Sequence, residues 1–189
     1  MKSLILALVL AVCSAPVLAD SYSATLTGAQ EATPNASPAI GAAIVTFDVT
    51  SHTLTVGTVF TDLLGTVTAA HIHCCVAPPG TAGVATMVPT FTGFPSGVSE
   101  GTYLMSFDTS LASTWNPAFI TNNGGTTMGA EAALLAGLNL GMAYLNIHTS
   151  LYPGGEIRGF LMPVPEPGAA FMLLLGVPLA IGLARRRRA

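Results

Sequence analysis

Lysine is nearly missing from this chain. Only 8% of its 189 residues are charged, and the six basic ones are Lys2, Arg158 and the run Arg185 to Arg188. Between Asp20 and Pro163 one arginine faces eight acids: Asp20, Glu31, Asp48, Asp62, Glu100, Asp108, Glu131 and Glu156. The net charge there is −7. No basic patch exists to meet a phosphate backbone, which excludes nucleic acid as a partner. A phosphate loop ending in Lys-Ser/Thr is excluded for the same reason. Ser96, in Gly93-Phe94-Pro95-Ser96-Gly97, does not fit the Gly-x-Ser-x-Gly elbow. No acidic loop has the spacing of an EF-hand. Cysteine is scarce as well: Cys13 sits near the N-terminus, and Cys74 and Cys75 are adjacent. Adjacent cysteines close a strained ring, pair with another chain, or stay as two small buried thiols, and the sequence leaves all three open. The expectation is a protein without catalytic activity.

What is abundant lies at the two ends. Met1-Lys2 is a short basic start, Ser3 to Pro16 is apolar, and Val17-Leu18-Ala19 has small residues at the cleavage positions. This reads as a signal peptide, residues 1–19, cut after Ala19. At the other end, Pro165-Glu166-Pro167 precedes an apolar span, 168–184, and the cluster Arg185, Arg186, Arg187 and Arg188. Seventeen residues make a helix of roughly 25 Å, the short limit for crossing a bilayer. Arginines on its far side keep that end cytoplasmic. The order of these parts resembles the PEP-CTERM sorting signal of Gram-negative bacteria, placed here over 164–189. The resemblance implies signal peptidase and exosortase as partners during export. It also implies inner-membrane association through the tail, then delivery to the cell surface or the extracellular matrix.

The 144 residues from Asp20 to Pro163 are enough for one domain with a real core. Alternation predicts strands at 22–27, 42–50, 54–61, 67–75, 83–91, 101–107, 142–149 and 156–161. A hairpin turns at Ser51-His52. Asn116-Pro117 opens a short helix, and Glu131 to Leu140 has helical spacing that Gly141 ends. Short strands with turns every ten residues or so predict an antiparallel sandwich or barrel.

Three stretches then stand together: Gly28-Ala29-Gln30-Glu31, Ala70-His71-Ile72-His73, and Tyr144 to Thr149 leading into Gly154-Gly155-Glu156-Ile157-Arg158-Gly159. The set resembles the CHRD domain, a module named after chordin, over residues 21–162. Gln30, Glu31, Asn146, Gly155, Glu156 and Arg158 carry the motif, and Cys74 stands where the family usually has glycine. The resemblance implies no established reaction. It implies a mainly β fold, an antiparallel β-sandwich with Greek-key connections, immunoglobulin- or superoxide-dismutase-like. To this we add the short helical insert and the C-terminal transmembrane helix. An exported binding or structural module, meeting extracellular polysaccharide or surface proteins, is the first functional expectation.

The second, a copper- or zinc-binding protein or a superoxide-dismutase-like enzyme using His71, His73 and His148, rests on histidine. Val67, Ala69, His71, His73 and Cys75 are expected on one face of a strand, and His148 shares a face with Tyr144 and Asn146 on a late strand. With Ile72, Leu145 and Ile147 facing the core, the three imidazoles gather on the outer side if the strands are neighbours. Neutral imidazoles on strands suit copper or zinc, and His-x-His resembles the copper strand of Cu/Zn superoxide dismutases. A dismutase needs a fourth copper histidine, however, and His52 falls in a turn. The alternative is that the three histidines bond to backbone and fix register. Glu156 and Arg158 share one face of the last strand and pair with each other or with Gln30 or Glu31; an exposed pair contributing at most about 1 kcal/mol is the first expectation, and a buried Arg158 would require a partner.

Overall fold

The computed structural model describes residues 20–165. In chain order its strands are β1 (Asp20–Thr27), β2 (Ile40–Asp48), β3 (Thr53–Thr61), β4 (Val67–Cys74), β5 (Gly101–Asp108), β6 (Ala143–Thr149), β7 (Ile157–Phe160) and β8 (Met162–Pro163). Two helices, α1 (Pro117–Asn122) and α2 (Thr127–Asn139), lie between β5 and β6. Every pairing is antiparallel.

The strand order is β4-β6-β7-β1-β2-β3-β5, with β8 beside β1. This corrects the two-sheet sandwich. All eight strands share one sheet, which curls as a half-barrel. Alternation tells which face of a strand is buried but not what covers it. Here the sheet covers itself by curling, and Trp115, Phe119, Leu134 and Leu138 of the helical region fill the space a second sheet would take. Each such side chain, fully buried, contributes about 1.5–3 kcal/mol.

Local chemistry explains most boundaries. In β2, Ala43, Val45 and Phe47 are buried while Ile40 and Ile44 are exposed, a period of two. Asn116 caps α1, its side chain accepting from the Ala118 N–H, with Pro117 at the first helical position. Thr126 caps α2 by accepting from the Gly129 N–H, so the helix begins four residues before the expected Glu131. Gly141, with φ +63°, follows it.

Two expectations fail locally. Gly83 to Phe91 is not a strand. It runs along the free edge of β4, yet its donors go to separate partners: Ala85 N–H to Ile72, Met87 N–H to Thr114, Phe91 N–H to Ala70. The Thr86 and Thr90 hydroxyls accept from the Ile72 and Ala70 N–H groups, so side chains replace part of the ladder. Pro89 has no N–H to offer. Val67 does not share the histidine face. A register shift between Val67 and Ala69 turns it into the core.

The signal peptide with its cleavage site at Ala19, and the tail from Glu166 with the span 168–184 and Arg185 to Arg188, lie outside the described residues. Among the described residues no helix is long and apolar enough to cross a membrane.

Candidate metal centre

β4 and β6 pair directly, His71 opposite Asn146, His73 opposite Tyr144, and Ala69 opposite His148. Ala70, Ile72, Leu145 and Ile147 are fully buried in the core. The two-residue period therefore sends all three imidazoles to the other face, as expected. The ring centroids of His71 lie 5.8 Å from those of His73 and 5.2 Å from those of His148, and His73 is 5.8 Å from His148.

That face is not open. His71 is 6% and His73 8% exposed, and His148 is partly buried. Loops from distant parts of the chain roof it, and Arg158 holds them. Its guanidinium donates to the carbonyls of Gln30, Gly80 (3.0 Å) and Pro79 (2.8 Å), and stands 4.8 Å over the Tyr144 ring. Tyr144 stacks on His73 at 4.9 Å, and its hydroxyl donates to the Ala82 carbonyl.

Each imidazole donates one N–H to a roof carbonyl: His71 Nε2 to Pro89 (2.6 Å), His73 Nδ1 to Ala82 (2.9 Å), His148 Nδ1 to Pro153 (2.9 Å). A carbonyl only accepts, so these contacts set the tautomers. The other nitrogens, His71 Nδ1, His73 Nε2 and His148 Nε2, are buried lone pairs with no partner. One ligand atom from each histidine lies within 4.8 Å of the others. Burial lowers all three pKa values, His73 to about 4, against the upward pull of the roof carbonyls. The rings are neutral at pH 7, the form that binds a metal. A single water has two hydrogens and cannot satisfy three acceptors, whereas a cation can. Carbonyls on the second ring nitrogens are the orienting partners metal-bound histidines ordinarily have.

Bonds of about 2.0–2.1 Å in a trigonal set place nitrogens roughly 3.6 Å apart. With the ligand atoms within 4.8 Å of one another, binding an ion asks the imidazoles to close by at most about 1 Å. His52 takes no part. It sits in the β2–β3 turn with Nδ1 2.8 Å from Glu131 Oε1, which raises its pKa. The cluster thus stops at three of the four histidines in the sequence, and the dismutase pattern is not assembled.

The remaining motif residues build the scaffold around this centre. Glu156 and Arg158 are 0% and 1% exposed and do not pair, which corrects the exposed ion pair. The reason is the roof, made of segments far away in sequence. Burial pushes the Glu156 carboxyl up, but donors from Ser37, Thr149, Leu64 N–H and Gly65 N–H outweigh it and hold the pKa below the usual range. Arg158 Nε lies 3.9 Å from Glu31, whose pKa burial raises to about 7 although the guanidinium pulls it down. Glu31 Oε1 and Asn146 Oδ1 are buried without partners. Both would lie within 2.7 Å of a Cβ at Gly155, whose φ of +126° also demands glycine. The Gln30 side chain donates to the Thr25 carbonyl at 2.7 Å. Cys74 and Cys75 are joined to each other by a disulfide, packed against Gly137 of α2. Sequence reasoning gave Tyr144 no role, although it shares the period-two face with Asn146 and His148. The three roof carbonyls carry no sequence signal.

No curated protein and no solved structure matches the chain. The family model described as the CHRD domain matches residues 22–161, which include both histidine-bearing strands, β4 and β6. The motif residues that enclose the three imidazoles fall within that match, and the chain belongs to the CHRD domain family.

Proposed function

We propose that this protein is an exported CHRD-domain module that binds one transition metal ion, copper or zinc, through His71, His73 and His148, without catalysing a reaction. The observation that carries the reading is the set of three buried, unpaired imidazole nitrogens held toward one another by carbonyls on their far sides. The burial of His71 and His73 supports a reading without catalysis. Elemental analysis of the purified protein is the test. One copper or zinc per chain is expected, lost in His71→Ala and His148→Ala. A metal-free protein that takes up neither ion contradicts the reading.

Export is supported by the two ends of the sequence. Signal peptidase and exosortase act during sorting, inner-membrane association through the tail is transient or permanent, and the mature module serves the cell surface or extracellular matrix, against polysaccharide or surface proteins. Mass spectrometry of the released protein is expected to show a start at Asp20 and loss of the tail beyond Pro165-Glu166-Pro167. An intact Arg188 on the secreted form contradicts this.

A further inference from the structure

Resting on the metal reading above, we infer that the resident ion is monovalent copper, held by three nitrogens alone in a site closed to water. Three observations point the same way. The first is charge. The donor set is three histidines, and among the described residues no carboxylate or thiolate joins the cluster. The formal charge of the bound ion therefore stays uncompensated by its ligands. The strand neighbours supply no anion: Asn146 stands opposite His71 and Tyr144 opposite His73, and the guanidinium of Arg158, 4.8 Å over the Tyr144 ring, has Glu31 3.9 Å from its Nε. An uncompensated dication in such surroundings is far more costly than a monocation, because the desolvation penalty grows with the square of the charge.

The second is coordination number. Zn²⁺ takes four ligands, and where a protein supplies three the fourth is water. Cu²⁺ favours a tetragonal set of four or more. Cu⁺ is a closed-shell ion content with two or three donors. Here the three free nitrogens have no contact with solvent. The unpaired oxygens nearby, Glu31 Oε1 and Asn146 Oδ1, sit beside Gly155, within 2.7 and 2.5 Å of where its Cβ would stand. Asn146 stands opposite His71 across β4 and β6, and its amide oxygen carries no charge that would compensate a dication. The third is the roof. Pro89, Ala82 and Pro153 each spend a carbonyl on a ring nitrogen, so expanding the shell to admit water disturbs both the β4–β5 and the β6–β7 connections.

The test is a competition on the full-length chain, kept soluble by detergent, under anaerobic conditions and without thiol reductants, which would open Cys74–Cys75. Cu⁺ is supplied as its acetonitrile complex against a chromogenic bidentate chelator. Zn²⁺ and Cu²⁺ are titrated separately against chelators of known affinity. The expected result is one equivalent of Cu⁺ bound at least a hundredfold more tightly than either dication, with no copper paramagnetic resonance signal and an X-ray absorption edge of a three-coordinate Cu⁺ site. Equal or tighter binding of Zn²⁺ or Cu²⁺ overturns the monovalent assignment while leaving the histidine site standing. Binding of none of the three ions overturns the site itself. The wild-type chain decides between these outcomes. His148→Gln, expected to lose the Cu⁺ equivalent, locates the ion.

Discussion

Arg158 shows how much one side chain can hold. It is the only arginine among the described residues, it is buried, and it donates to carbonyls of Gln30, Pro79 and Gly80 that belong to two loops. Arg158→Met keeps the volume and removes the donors. Leaving Glu31 and the three carbonyls without their buried cation is expected to cost about 3–5 kcal/mol, read as a lower denaturant midpoint. A loss below about 1 kcal/mol would mean the loops hold themselves. Glu31 gives a second prediction. Its folded pKa, about 7, lies above its ordinary 4.5, so the protonated form is the one the fold prefers. That stability is fully present below about pH 4.5 and is lost as pH rises through 7, on the order of 3 kcal/mol. Glu31→Gln, which stays neutral, is expected to abolish this alkaline decline in chemical denaturation between pH 5 and 8.5. An unchanged decline in the variant places the titrating group elsewhere. Neither residue's burial was legible in the sequence. A charged residue in a motif reads as exposed by default, and the loops that cover Glu156 and Arg158 come from positions about 80 to 130 residues away.

At the scale of elements, helix α2 carries a prediction whose sign runs against propensity. Replacing a helical glycine by alanine ordinarily stabilises by up to about 1 kcal/mol. At Gly137 the added Cβ would stand 2.3 Å from Cys74 Sγ and 2.7 Å from Cys75 Sγ. Such overlap forces the helix off the end of β4, a cost of about 1–3 kcal/mol. Gly137→Ala is therefore expected to lower the thermal midpoint, and a raised midpoint would show that the disulfide yields easily. Elements also show where reading the sequence succeeds. β2 and β3 were legible because alternation is a local property, and α1 because Asn116-Pro117 is a local cap. Gly83 to Phe91 alternates too, but hydroxyls of Thr86 and Thr90 take the ladder positions, which no periodicity reveals. The outward direction of the histidines followed from Ile72, Leu145 and Ile147 facing the core. The pairing of β4 with β6, some 70 residues later, did not follow from any local pattern.

For the whole molecule, the single curled sheet is what local reading could not supply, since strand order is set by contacts between distant segments. Its consequence is a centre assembled late in the chain order, with β4, β6, β7 and two roof loops all required. The metal-free molecule should also be acid-sensitive. The folded pKa values of His71, His73 and His148 lie below the ordinary 6.5, so their neutral forms favour the fold. The stability they lend is present above about pH 6.5 and is lost as pH falls toward 4, the value His73 reaches. Filling the centre with metal should move this acid limb to lower pH, because protons then compete with the ion. The central claim is that three specific ring nitrogens wait for one ion, and long-range ¹⁵N–¹H NMR of the imidazoles tests it most directly. Without metal at pH 7, the account predicts His71 protonated on Nε2, and His73 and His148 protonated on Nδ1. One equivalent of the ion then shifts His71 Nδ1, His73 Nε2 and His148 Nε2 together and leaves His52 unchanged. Opposite tautomers, or three imidazoles that ignore the added ion, would contradict it.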